Sequence, residues 1–198
     1  MTDITILGGG RVGGGLATAL TRAGHQVTVA PRSPEATADA VRTARVVINA
    51  TPGAGSLERL AALRTELRGK ILVDVSNATV DGPDGLPAGL LYPGSSLAER
   101  LQEALPETLV VKTLNTMLHT VMTEPSSLTQ PPTAFLSGAD AKAKQVVRGL
   151  LVDLGWRQEW ITDLGGIETA RATESAILFV PHVIRSSGFA PFALSIAR

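Results

Sequence analysis

The chain has 198 residues, 44% hydrophobic but only 4% aromatic, and its 18 basic residues balance 18 acidic ones. That length fits one domain with a core of mostly aliphatic side chains, and the lack of any long run of one charge offers no surface for nucleic acid or an acidic membrane. Cysteine is absent, which removes disulfides and thiolate chemistry and fits a reducing cytoplasm, and His25, His119 and His182 lack metal-ligand spacing.

No apolar stretch reaches the ~18 residues that a bilayer span requires. The chain opens directly on a strand rather than on a basic-then-apolar leader, so a cytoplasmic protein is expected. Ile4, Ile6 and Leu7 form the apolar run, and glycines at 8, 10 and 13 follow in the G-x-G-x-x-G spacing. Leu16, Ala19, Leu20 and Ala23 then repeat at helical spacing up to Gly24. Strand, glycine turn and helix together form the context in which that spacing implies dinucleotide binding. Gly8 permits the tight turn, Gly10 lets backbone approach a pyrophosphate, and Gly13 lets the helix pack on the strand. The unpaired N–H groups of a helix starting near Arg11 and Val12 would face the phosphates, with Gly9 inside the same turn.

Residues 26–29 read as a second strand that ends at Arg32 and Ser33. An NAD-type site carries a carboxylate about 20 residues past the glycines, to hold the ribose hydroxyls. A guanidinium there instead can fork onto a 2′-phosphate, so NADP is expected over NAD. Residues 36–44 leave room for one short helix before the next strand at 45–50. A parallel crossover needs about a dozen residues. The usual third strand is therefore expected to be missing, with the second strand at the sheet edge. The fold class expected is α/β, a doubly wound and mainly parallel sheet with a shortened first half and a small C-terminal helical portion.

Thr51 and Pro52 begin a breaker-rich turn, and Ser56 reads as the N-cap of a helix over 57–67. Residues 70–75 are a buried strand ending at Asn77 and Ala78, and residues 79–95 read as a surface loop. A helix is expected over 96–105, a strand over 109–114 ending in Asn115, Thr116 and Met117, a last strand over 133–138, and a helix over 139–154. The tail from residue 167 reads as helical, broken at Pro181. Its apolar run 176–180, with Phe189 and Phe192, exceeds what one helix on a small sheet buries, so part of it is expected to be a subunit interface. The expected organisation is one domain over residues 1–198, with residues 167–198 as a tail packed on it or on a second subunit.

Ligands of open parallel sheets bind outside the carboxyl ends of the strands. Thr51, Pro52, Asn77 and Ala78 are therefore candidates for the nicotinamide side, and Asn115, Thr116, Met117 and His119 for a substrate cleft. His119 could protonate a substrate but reads better as a structural histidine. His25 reads as a helix-end residue and His182 as a packed one. Glu168, Arg171 and Glu174 share a helix face and are expected to pair with one another. No catalytic acid, base or nucleophile stands out, so a bound cofactor would carry the hard step.

Taken in order, these segments resemble the coenzyme F420-dependent NADP oxidoreductase family. The resemblance rests on residues 7–13, 23–25 with 31–34, 47–53, 72–77, 110–117 and 163–171. It implies a Rossmann domain, usually in a homodimer, with NADP phosphates over Gly8 to Gly13 and the 2′-phosphate near Arg32 and Ser33. It also implies a small-molecule substrate: a deazaflavin coenzyme stacked near Asn115, Thr116 and Met117, taking a hydride directly from the nicotinamide. Pro93-Gly94-Ser95 stands where many relatives have a polar segment beside the substrate. Two alternatives stay open: a biosynthetic reductase of an unsaturated or imine-type metabolite, and a catalytically silent NADP-binding sensor.

Overall fold

The computed structural model describes residues 1–197; Arg198, the last residue of the expected tail, lies outside them. Strand β1 (Asp3–Leu7) leads through the glycine turn into helix α1 (Arg11–Arg22), then β2 (Gln26–Val29), α2 (Pro34–Thr43) and β3 (Val46–Asn49). Two short helices, α3 (Ser56–Ala61) and α4 (Arg64–Leu67), precede β4 (Ile71–Asp74). A hairpin of β5 (Thr79–Asp81) and β6 (Pro87–Leu90) leads to α5 (Leu97–Ala104) and β7 (Leu109–Lys112). Helix α6 (His119–Thr123), β8 (Ala134–Ser137), α7 (Ala141–Asp153) and β9 (Ile161–Gly165) follow. The tail holds α8 (Ala170–Ser175) and α9 (Val180–Ser187).

The seven-stranded sheet runs β2-β1-β3-β4-β7-β8-β9, parallel except where β8 runs antiparallel to β7. The second strand is indeed the edge, because the chain steps outward once from β1 and returns through α2 directly to β3. It crosses from one side of β1 to the other at that point, so a crevice opens at the carboxyl ends of β1 and β3. Helices α1 and α7 bury Leu16, Leu20, Val147 and Leu151 on one face of the sheet. Val41, Leu60, Leu67, Leu97 and Leu101 from α2 to α5 cover the other. Each fully buried leucine contributes about 1.5–3 kcal/mol, so these faces outweigh the weak propensity of such short helices. Trp156 is the largest fully buried side chain among the described residues, with Nε1 donating to the Met122 carbonyl at 3.0 Å.

Several local expectations are corrected. The helix expected over 57–67 is split, because Leu63 N bonds back to Leu60 O and tightens the chain before α4 begins. Ser56 is not an N-cap: Gly55 holds that position at φ 74°, and the Ser56 hydroxyl turns inward to donate to Pro52 O at 2.9 Å. Residues 79–90 form a bulged antiparallel hairpin rather than a loop. The strand expected to be last is followed by β9, which pairs parallel with β8. In the tail, residues Ala176–Phe179 tighten to a 3-10 turn, and Pro181 sits in the first turn of α9, where its missing N–H costs nothing.

Candidate dinucleotide and substrate site

The glycine turn has the geometry that its spacing implies. Gly8 adopts φ +100°, and a side chain there would lie 2.6 Å from the Ala50 carbonyl oxygen. A Cβ on Gly13 would lie 1.8 Å from the Gly8 carbonyl oxygen, which is how closely α1 approaches the turn. A Cβ on Gly10, by contrast, would meet nothing within 4 Å. Gly10 therefore faces open space at the amino end of α1, as a backbone approached by a ligand must. Gly9 and Arg11 are exposed beside it and Val12 is half-buried against the core.

Arg32 is exposed beyond β2 and makes no ion pair or hydrogen bond among the described residues. Ser33 already has a structural role, its hydroxyl capping α2 by accepting from Ala36 N at 3.3 Å. Residues 30–33 carry no carboxylate, so nothing in that loop repels a second phosphate.

Across the crevice, the last residues of three adjacent strands form a polar row: Asn49, Asp74 and Lys112 are register partners on β3, β4 and β7. All three are buried. Lys112 Nζ donates to Asp74 Oδ2 at 2.7 Å, to Glu174 Oε1 at 2.8 Å, and to the Ser76 carbonyl. Its three N–H groups are thus fully used. Burial alone would push the Lys112 ammonium down, but the Asp74 and Glu174 carboxylates outweigh it and hold its pKa above the usual lysine range. Asp74 Oδ1 accepts from Asn49 Nδ2 at 2.9 Å and from the Ser76 hydroxyl at 2.8 Å. Asn49 Oδ1 in turn accepts from the Thr51 hydroxyl at 2.6 Å. Glu174 also caps α5, accepting from Leu97 N at 3.0 Å and Ala98 N at 3.2 Å.

This network forms a floor under the Thr51–Pro52 turn and the Ser76–Asn77 segment. A Cβ on Gly53 would lie 2.1 Å from Asn77 O, so the two segments touch. Asn77 Nδ2 donates to Asn115 O at 2.8 Å, and Asn115 Nδ2 donates to Asn77 Oδ1 at 2.9 Å. Leu114, just before, holds a left-handed φ of 59°, a strain of about 1–3 kcal/mol that such sites often carry. Thr116 Oγ1 is buried with no partner among the described residues, as are Thr113 Oγ1 and His25 Nδ1. Residues 116–118 are strapped by the C-terminal segment, with Leu118 N bonded to Phe192 O and Leu194 N to Thr116 O.

Thr51, Pro52, Asn77, Asn115, Thr116 and Met117 all follow the carboxyl ends of β3, β4 and β7 and so lie at one end of the sheet, the end that carries the glycine turn. His119 begins α6, half-buried. Glu168, Arg171 and Glu174 do not pair with one another by contact: Arg171 holds Glu99 on α5 and Glu174 holds Lys112. Nor is His182 packed; it is exposed. Sequence reading missed Lys112, Asp74 and Asn49. Their one signal was a polar residue at the end of each of three otherwise apolar strands. The described residues contain no cluster of three or more metal-ligating side chains and no helix long and apolar enough to cross a membrane.

The family description "NADP oxidoreductase coenzyme F420-dependent" matches residues 3–51. A crystal structure from Arthrobacter sp. FB24, provisionally named an F420-dependent NADP-reductase, is 37% identical with all of both chains covered and a TM-score of 0.90. The chain belongs to the coenzyme F420-dependent NADP oxidoreductase family. The F420-dependent NADP reductase of Methanocaldococcus jannaschii is 30% identical over 142 residues, which are 69% of this chain and 60% of that protein. The chain thus spans about 60% of the length of that curated relative. A hypothetical protein from Sinorhizobium meliloti is 27% identical over 100% of this chain and 96% of its own, at a TM-score of 0.65. Membership places the chain among NADP-dependent oxidoreductases and fits the sheet order seen here.

Proposed function

We propose that the protein transfers a hydride between NADPH and a deazaflavin coenzyme or another small electron-poor acceptor. The observation that carries this is the open Gly10 backbone at the amino end of α1, opposed across the β1–β3 crevice by the Thr51–Pro52 turn. When bound there, NADPH supplies the reducing equivalent. The residues of the chain would hold it: Gly8 to Gly13 the pyrophosphate, Arg32 and Ser33 the 2′-phosphate, and Thr51, Pro52 and Asn77 the nicotinamide half. The Asn77–Asn115 pair fixes the spacing between that half and the cleft at Thr116 and Met117.

A deazaflavin is favoured because, apart from His119 at the start of α6, the candidate cleft residues carry no side chain that could act as a positioned acid. Lys112, whose three N–H groups all have acceptors, is no proton donor. An acceptor that draws its proton from water suits such a cleft better than one that needs a positioned acid. We propose further that the protein is a cytoplasmic homodimer joined through its tail, where Phe179 and Phe189 are 62% and 69% exposed.

The test is a fluorescence titration with NADPH and, separately, NADH. NADPH should bind at least about tenfold more tightly, and Arg32→Ala should erase that preference, since a forked ionic bond to phosphate contributes ~1.5–3 kcal/mol. Oxidation of NADPH on adding the oxidised deazaflavin then tests the acceptor. Binding of neither nucleotide would overturn the reading, and binding with turnover of no acceptor would favour the silent sensor.

A further inference from the structure

Arg59 is an exposed residue within α3 whose guanidinium folds back over the turn that follows β3. Its Nη2 donates to Pro52 O at 2.6 Å, to Thr51 Oγ1 and Ser56 Oγ at 3.2 Å, and to Ala54 O at 3.3 Å. All four acceptors are neutral oxygens. Among the described residues no carboxylate lies within ion-pair distance of Arg59, as is also true of Arg32 and several other arginines, but Arg59 differs from Arg32 in being fixed in place by its bonds to the turn. Nε and Nη1 make no hydrogen bond among those residues, so two nitrogens of the planar fork remain free.

Room has been left for this arrangement. A Cβ on Gly55 would lie 2.9 Å from Arg59 Nη1, and Gly55 has φ +74°, so the position favours glycine on both counts. The turn also lies against the glycine turn of β1, since the Ala50 carbonyl, one residue before Thr51, is what a side chain on Gly8 would strike. The uncompensated charge is therefore tied to the rim of the β1–β3 crevice, on the bank opposite α1.

We propose that Arg59 is a second phosphate-binding residue of the dinucleotide site: its free edge pairs with the phosphate on the nicotinamide side, while Arg32 reads the 2′-phosphate. This rests on the dinucleotide reading above. Holding an arginine against neutral oxygens spends its rotamer freedom and leaves its charge unmatched, whereas a phosphate would use both the charge and the fork.

Two probes separate the roles. NADPH carries the nicotinamide-side phosphate; 2′,5′-ADP lacks it but keeps the 2′-phosphate and the adenosine-side phosphate. Arg59→Ala should weaken NADPH binding by about tenfold or more, leave 2′,5′-ADP affinity unchanged in calorimetry, and make NADPH binding less salt-sensitive. Arg32→Ala should weaken both ligands. Arg59→Lys, which keeps the charge, should retain part of the NADPH affinity, and Arg59→Gln, which can still donate to the turn, should not. The proposal falls if Arg59→Ala binds NADPH as the unmodified protein does, or if it weakens both probes equally. It falls too if Arg59→Gln restores NADPH binding, which would make the residue a brace for the turn. If the unmodified protein binds NADPH, the dinucleotide reading stands whatever the variants do; if it binds none, both readings fail together.

Discussion

Glycines 10 and 13 have the same chemistry and opposite surroundings, so one substitution separates ligand space from packing space. Gly13→Ala places a methyl 1.8 Å from a backbone oxygen, and the backbone has to move to admit it. Overpacking of this kind costs about 1–3 kcal/mol or more, and the melting temperature should fall by several degrees. Gly10→Val adds bulk into open space at the N-cap of α1, so the melting temperature should fall only by what the lost capping preference costs, about 1 kcal/mol or less, while NADPH binding is lost. Equal melting temperatures for both variants would contradict the packing argument. Lys112 calls for a different experiment. Lys112→Met leaves Asp74 and Glu174 buried without their cation, a loss of about 3–5 kcal/mol that thermal melts would register. The pKa of Lys112 is raised on folding. Its contribution to stability is therefore complete below the unfolded lysine value of about 10.4 and is lost as pH rises through the higher folded value. Melting curves of the unmodified protein should accordingly fall off on the alkaline side. The glycines were legible in the sequence because their spacing is local. Lys112 and Asp74 were not, since their pairing spans 38 residues and only strand register brings them together.

Elements were legible where periodicity and capping agreed. Helix α5 begins where Ser96 caps it, the Ser96 hydroxyl accepting from Glu99 N at 3.1 Å. Helix α7 is capped by Asp140, whose carboxylate accepts from Ala143 N at 2.7 Å. The hairpin of β5 and β6 was illegible because glycine, proline and aspartate are also the residues of loops, and only its antiparallel register distinguishes it. Strand β9 was not legible because no alternation of apolar and polar residues marks Ile161–Gly165, whose side chains beyond Ile161 are only partly buried or exposed. It is anchored to α7 by Lys144 Nζ, which donates to Asp163 Oδ1 at 2.7 Å. Partial burial raises the Asp163 carboxyl, but the Lys144 bond and the Gly165 N–H outweigh this and lower its pKa. The stability from this contact is present above the unfolded aspartate value of about 3.9 and is lost as pH falls through the lower folded value. Asp163→Asn should therefore flatten the acid limb of a stability curve. The effect should stay under about 1 kcal/mol, because solvent screens a side chain as exposed as this one.

At the scale of the whole molecule, the missing strand was readable as a length: too few residues separate β2 from β3 for a further strand and helix. The sheet order confirms it and places the crossover point between β1 and β3. The reversal at β8 was not readable, since a buried strand looks the same in either direction. The tail divides in two. Glu174 and the Phe192–Leu194 segment bind it to the sheet end, whereas Phe179 and Phe189 face outward. Nearby, an open cleft of about 530 Å³ lies between the hairpin and α9, lined by Leu86, Pro87, Leu178 and Pro181 and also by Asp84, His182 and Arg185, so the apolar surface proper is that of the two phenylalanines. If these apolar surfaces join two subunits, sedimentation at micromolar concentration should give a dimer, and a Phe179→Asp/Phe189→Asp double variant should sediment as a monomer with its melting curve still cooperative. A monomeric unmodified protein would rule out the proposed interface.

The buried contact between Lys112 and Glu174 also has a consequence for biosynthesis. A nascent chain emerges from the ribosome amino end first, so β1, β3, β4 and β7 can align long before residue 174 is made. Until then Lys112 has the Asp74 carboxylate but not its second counter-ion, and the amides of Leu97 and Ala98 lack their acceptor. The floor of the crevice is thus completed by one of the later parts of the chain. A product cut short before Glu174 would carry an unfinished polar core, and cellular quality control could distinguish it from the finished protein by its readiness to open.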